Sequence, residues 1–65
     1  MAFIINIKKH RKNKKLTIEE CAKLSGISFR YLASIEYGEK IPSIHVLYKI
    51  AKALSVKTGD LIEDN

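Results

Sequence analysis

A chain of 65 residues with a formal net charge of +5 is expected to be one small domain, 1–65, with a modest core. Its single cysteine excludes an intrachain disulfide, and no apolar run approaches the roughly 20 residues a membrane span requires. Paired carboxylates framing a cleft, triad residue types in a plausible order, a glycine-rich phosphate loop and metal-ligand spacing are all missing, so the chain is expected to be no enzyme and to need no cofactor or metal.

The placement of charge says more than its sum. Six of the twelve lysines and arginines fall between Lys8 and Lys15, and no acid occurs before Glu19. Asp60, Glu63 and Asp64 gather at the other end. This asymmetry points to a polyanionic partner, nucleic acid first and an anionic membrane surface second. The plainer alternative is a solvated face that aids solubility. The opening MAFII lacks a preceding basic region and a cleavage pattern, so it is no signal peptide, and a cytoplasmic location is expected.

Phe3, Ile4 and Ile7 recur at helical spacing and predict a first helix over about residues 2–13, with His10 and Arg11 next on that face. Its lysines repel one another, a cost that a nearby phosphate backbone would offset. His10 is expected at the core edge, using its ring as a flat apolar surface; a phosphate contact or pH sensor is the alternative.

Residues 16–38, LTIEECAKLSGISFRYLASIEYG, carry the signature of a helix-turn-helix, centred on 17–36. Thr17 can cap the first of its helices while Glu20 reaches back to the cap amide. That helix, about Ile18 to Leu24, should turn Cys21, Ala22 and Leu24 to the core. Cys21 reads as a small buried hydrophobe, since only His10 and His45 are on offer as chemical partners. Gly26 supplies the left-handed turn, and Ser28 caps the next helix, about Phe29 to Tyr37. Leu32 and Ile35 point inward with Ile27, leaving Phe29, Arg30, Ala33, Ser34 and Tyr37 outward. One arginine, two aromatics and two small residues suit the reading of a DNA groove better than bare solubility. Phe29 folding back as a helix-start anchor, and Tyr37 closing a helix end, are the competing readings.

Gly38 stops this helix, and Pro42 biases Ile41 toward an extended form. Ser43 caps a fourth helix with a stripe of Ile44, Leu47, Ile50, Ala51 and Leu54; its free first amides, with Lys40 near, suit a phosphate. His45, Tyr48, Lys49 and Lys52 lie off the stripe. Thr58 caps a last short helix with Leu61 and Ile62 inward, and this helix with the Ser55–Lys57 turn is the expected dimer surface. Five helices with no strand pattern predict a compact all-α domain.

Three segments, LTIEECAKLSGIS, YLASIEYG and IPSIHVLYKIAKALSV, in this order and spacing, resemble the Xre family of helix-turn-helix domains, which includes the lambdoid phage repressors, Cro and SinR. The resemblance covers about residues 3–63. It implies a five-helix, lambda-repressor-like fold, a helix from Phe29 in the major groove, and a two-fold dimer. Residue by residue it implies Ser28, Phe29, Arg30 and Ser34 as base readers, and Thr17 and Tyr31 as phosphate contacts. Lys40 and Ser43 match a second phosphate cluster, Lys15 of the basic run is counted with them, and Arg11 and Glu36 match an internal ion pair. Two positions depart from the family pattern. Ile18 stands where many members carry a glutamine that clamps the DNA backbone, and Phe29 where many carry arginine or glutamine, so a thymine-methyl contact replaces a guanine contact.

The expected function is sequence-specific binding of double-stranded DNA at a near-palindromic operator by a homodimer, as a bacterial or phage-encoded regulator, a repressor first. Phage, plasmid, restriction-controller and antitoxin settings stay open. The alternative is a protein-interaction module, such as an antitoxin or anti-repressor, anchored by Phe29 and Tyr37 on a protein partner. A membrane-surface helix over residues 2–15 is a third reading, set aside because so small a core needs Phe3 and Ile7.

Overall fold

A computed structural model describes residues 3–64. The chain runs β1 (Phe3–Ile5), α1 (Ile7–Asn13), α2 (Ile18–Ser25), α3 (Phe29–Glu36), α4 (Ile44–Leu54), a 3-10 turn (Thr58–Leu61) and β2 (Ile62–Asp64). The helical domain expected from the sequence is present, with two differences at its ends. The first helix begins at Ile7, and the residues before it pair as a strand with β2, antiparallel, Ile4 opposite Glu63 and Ile5 opposite Ile62. Met1 and Ala2, where the predicted helix began, lie outside the described residues, as does the side chain of Phe3. The fifth helix is a single 3-10 turn, so four α-helices are described.

Asn6 accounts for the strand-to-helix switch. Its amide N–H donates to the Leu61 carbonyl at 2.8 Å and its Nδ2 donates to Glu63 at 2.8 Å, which ties the strand end to the far end of the chain. Its Oδ1 accepts from the Lys9 amide, so the same residue caps α1. Ile7 then enters the core while Ile4, one strand position from Ile5, is exposed.

The helix-turn-helix forms through the expected local chemistry. Both halves of the capping box are made, with the Glu20 amide donating to Thr17 Oγ1 at 3.1 Å and the Thr17 amide donating to Glu20 Oε1 at 2.8 Å. Gly26, at φ +73°, closes α2 in the left-handed region. Ser28 and Ser43 cap α3 and α4, accepting from the Tyr31 and Val46 amides. The end of the chain differs: Lys57, not Thr58, holds the cap position of the 3-10 turn, and its amide donates to the Asp60 carboxylate at 3.0 Å.

Among the described residues, ten apolar side chains form the core: Ile7 from α1, Cys21 and Ala22 from α2, Leu32 and Ile35 from α3, Leu47, Ile50, Ala51 and Leu54 from α4, and Leu61. Two expected members are outside it. Leu24 is 62% exposed and Ile44 69% exposed. On α2 the inward positions are Cys21, Ala22 and Ser25, and the serine satisfies its hydroxyl by donating to the Cys21 carbonyl at 2.7 Å. Leu24 falls on the flank. Ile44 sits in the first turn of α4, ahead of the stretch the other helices cover. Among the described residues, no helix is long and apolar enough to cross a membrane.

Candidate nucleic-acid interface

The exposed surface of α3 follows from how its other side is held. Leu32 is fully buried and Ile35 nearly so, which fixes the rotation of the helix about its axis. A buried ion pair then fixes its far end. Arg11 Nε donates to Glu36 Oε2 at 2.8 Å, Nη2 donates to Oε1 at 3.0 Å, and Nη1 donates to the Leu16 carbonyl at 2.8 Å. One guanidinium thus ties α1, the approach to α2 and the last turn of α3 together. The Glu36 hydrogen bond, against an opposing effect of burial, pushes the Arg11 pKa up, so the guanidinium stays charged at any physiological pH.

With that side locked, α3 and the segment after it border an open depression of about 580 Å³. Ser28, Phe29, Arg30, Tyr31, Ser34 and Lys40 all line it, together with Ala33, Tyr37 and Glu39. Six of the nine positions expected to meet DNA are therefore brought to one surface. Phe29 is 56% exposed and does not fold back as a core anchor, whereas Tyr37, 72% exposed, does close the helix end, holding the C-cap position of α3 with its amide donating to the Ala33 carbonyl. Arg30 is exposed and has no acidic partner within ion-pair distance among the described residues. Tyr31 is half-buried, and the Lys40 ammonium stands 5.7 Å from its ring centroid, which holds a cation at the rim.

Ser34 is placed differently from an outward reader. It is 8% exposed, and its hydroxyl donates to the Tyr31 carbonyl at 2.7 Å. With the proton committed, only its lone pairs face the depression, so toward a base it is an acceptor. Glu39 is a lining residue that helical spacing does not reveal. Gly38, at φ +79°, turns the chain back over the helix end, and the Glu39 amide donates to the Ser34 carbonyl at 2.8 Å. The signal for it in the sequence is the glycine, which predicts that the next residue returns over α3.

Thr17, Lys15 and Ser43 do not line this depression. Thr17 is exposed at the start of α2, its oxygen accepting from the Glu20 amide. The backbone hydrogen bond from Thr17, reinforced by its side chain, holds Glu20 below the ordinary carboxylate range. Lys15 is exposed at the end of the α1–α2 connection with φ +57°, a left-handed backbone uncommon outside glycine. Ser43 sits at the N-terminus of α4, three residues beyond Lys40.

The remaining sequence candidates take structural places. Ile18 is half-buried and packs against the core, so this position of α2 supports by apolar contact and has no hydrogen-bonding head for a phosphate. His10 is half-buried with Nε2 3.1 Å from the Asp60 carbonyl, tying α1 to the 3-10 turn. Cys21 is fully buried and burial pushes its thiol pKa up, away from thiolate chemistry. No cluster of three or more His, Cys, Asp or Glu that could hold a metal ion occurs among the described residues.

Two short helices joined at Gly26, the second anchored inside and carrying an uncommitted arginine and two aromatics outside, define a helix-turn-helix domain. The chain belongs to the helix-turn-helix family HTH_3, of Xre type, whose model matches residues 7–61. It is similar to an uncharacterised HTH-type transcriptional regulator of Sinorhizobium fredii, at 40% identity over 57 residues, 88% of this chain and 74% of that protein. A second uncharacterised HTH-type transcriptional regulator, from Methanocaldococcus jannaschii, is 38% identical over 55 residues, 85% of this chain and 83% of that protein. Among solved structures, the fold matches a chain of the SinR protein/SinI protein complex with a TM-score of 0.81 and 38% identity, covering 85% of this chain and 54% of that one. The chain thus spans about half the length of that structural relative.

Proposed function

We propose that this single domain, 1–65, is a sequence-specific reader of double-stranded DNA acting as a transcriptional regulator, a repressor, in a bacterial or phage setting within the cytoplasm. The observation that carries the reading is the surface of α3. Ser28, Phe29 and Arg30 stand at its N-terminal end beside Lys40, on a helix whose opposite side is fixed by Leu32, Ile35 and the Arg11–Glu36 pair. Inserted in the major groove by that end, Arg30 can grip guanine O6 and N7, Phe29 can cover a thymine methyl, and Ser34 can accept from a base amino group. Thr17, Tyr31, Lys40, Ser43 and Lys15 supply the phosphate contacts that set register and most of the affinity. The chain binds as a two-fold dimer on a near-palindrome with half-sites about 34–36 Å apart.

Selection of binding sites from random DNA, repeated with Arg30→Ala, tests this. The variant should lose its preference at one base pair per half-site, a discrimination of roughly 1–3 kcal/mol, while keeping the rest of the site. An unchanged selected sequence would remove Arg30 from base reading. A second reading, a protein-interaction surface, draws on the exposure of Phe29 and Tyr37 on one side, and the SinR relative was solved in a complex with another protein. Salt separates the two. Binding through several phosphates weakens with a log–log slope of about 0.9 per contact, whereas an aromatic-anchored protein interface barely responds.

A further inference from the structure

Leu24 and the lysines around it serve neither the core nor the α3 surface. Where α2 and α4 pack together, a depression of about 630 Å³ lies between the end of α2 and the second half of α4. Leu24, 62% exposed, lines it with the small residues Ser25, Gly26 and Ala53. Lys23, Lys49 and Lys52 complete the lining. No acid is among the lining residues, and none of the three ammonium groups has a carboxylate within ion-pair distance among the described residues. The Lys52 ammonium also stands 5.9 Å from the ring centroid of the exposed Tyr48, which brings a second large apolar surface to the edge.

Helix dipoles explain part of this arrangement, since Lys23 and Lys52 occupy the last turns of α2 and α4, where a cation is favourable. They do not explain the half-buried Lys49, nor an exposed leucine set among three cations. The charges select an anionic occupant, and Leu24 selects within that class. A phosphate backbone is met by cations and hydrogen-bond donors and leaves a leucine nothing to bury against. A flat anionic bilayer does not enter a depression between two helices. An acidic protein segment with one large apolar side chain satisfies both demands: the side chain covers Leu24 in the room left by the small residues, and carboxylates around it meet the lysines.

The position of the depression agrees with such a partner. The proposed phosphate contacts of α2 and α4 lie at their starts, Thr17 and Ser43. At 1.5 Å per residue, Lys23 is about 9 Å further along α2, and Lys49 and Lys52 about 9–14 Å further along α4. The depression shares no lining residue with the one bordered by α3, so the two can be occupied together.

We propose that the α2–α4 depression is a docking site for an acidic protein segment carrying one large apolar anchor, open while α3 is on DNA. Leu24 takes the anchor, and Lys23, Lys49 and Lys52 hold the carboxylates. The surface is separate from Phe29 and Tyr37, and the site stands independently of base reading by α3.

Phage display of random peptides of about 12 residues against the wild-type protein without DNA tests this. An enriched peptide is then synthesised and its affinity measured by fluorescence anisotropy. Enriched peptides should carry several Asp or Glu residues flanking one Leu, Ile, Phe or Trp. Leu24→Ser and, separately, Lys23→Gln/Lys52→Gln should each weaken the peptide at least about 10-fold, the effect of losing a central apolar or charged contact. Phe29→Ala should leave its affinity unchanged. These positions are all exposed, so each variant should keep the wild-type circular dichroism. Saturating the protein with its selected duplex at physiological salt should not displace the peptide, and Leu24→Ser should bind that duplex like the wild type.

Enrichment of no peptide, or of peptides without acids, overturns the proposed site. So does an acidic peptide that binds Leu24→Ser as tightly as the wild type, that is lost with Phe29→Ala, or that the duplex displaces. Leu24-dependent binding to phosphatidylserine vesicles with no peptide enriched would assign the depression to lipid instead. A duplex bound without sequence preference, with peptide binding intact, would remove base reading and leave this site standing.

Discussion

Replacing Glu36 by glutamine should nearly unfold this protein, although one atom changes. The carboxylate is 2% exposed and accepts two hydrogen bonds from Arg11, at 2.8 and 3.0 Å, and the guanidinium is itself 9% exposed. The glutamine amide oxygen can keep one of those bonds, but the arginine stays charged with no counter-ion. Breaking a buried pair from one side costs about 3–5 kcal/mol, and the remaining bond places this variant near 3. A core of this size rarely yields more than about 3–5 kcal/mol in total. Urea denaturation followed by circular dichroism should therefore show a midpoint close to zero denaturant, or a thermal midpoint lowered by roughly 12–24 °C at 4–8 °C per kcal/mol. The double variant Arg11→Met/Glu36→Leu removes both charges and should recover most of the loss, apart from about 1–2 kcal/mol for the Leu16 carbonyl left without its donor. If Glu36→Gln costs under 1 kcal/mol, or the double variant is no more stable than the single one, α3 is not held by this pair.

Three smaller outcomes follow from the same structure. Ser28→Ala removes the acceptor for the Tyr31 amide and should cost about 1 kcal/mol of stability, measured by the same denaturation. Cys21 should react with a thiol reagent only through opening of the fold, so at fixed pH its labelling rate should rise in step with urea. The Glu20 carboxyl, held down chiefly by the Thr17 amide, should titrate below its ordinary value of 4.5 in an NMR titration. A depressed acid stabilises the fold above the unfolded pKa and loses that contribution as pH falls through the folded one, so amide protection at the start of α2 should decline below about pH 4.5.

What the sequence made legible is chemistry between near neighbours. Thr17 with Glu20, Gly26, Ser28 and Ser43 each act within four residues, and each does in the structure what its type and position predict. The stripe of Leu47, Ile50, Ala51 and Leu54 was equally readable because it extends over two full turns. The strand at residues 3–5 was not. Three residues are too few to show alternation, Phe3, Ile4 and Ile7 satisfy helical spacing by chance, and the partner strand lies at the far end of the chain. Asn6 was the overlooked sign, a good cap residue standing just before Ile7. Leu24 and Ile44 show a second limit: periodicity orients a helix but does not say where the neighbouring helices stop covering it. Ser34 shows the same limit at the site, since i, i+3 and i+4 spacing grouped it with Arg30 and Tyr37 while the actual rotation of α3 turns it almost inside.

Whether α3 reads base sequence is decided by competition at physiological salt. A labelled duplex carrying the site selected from random DNA is challenged with unlabelled random duplex and with itself. The selected site should compete at least about 1,000-fold better than random DNA, the usual lower margin between specific and non-specific binding. Equal competition by the two would contradict it.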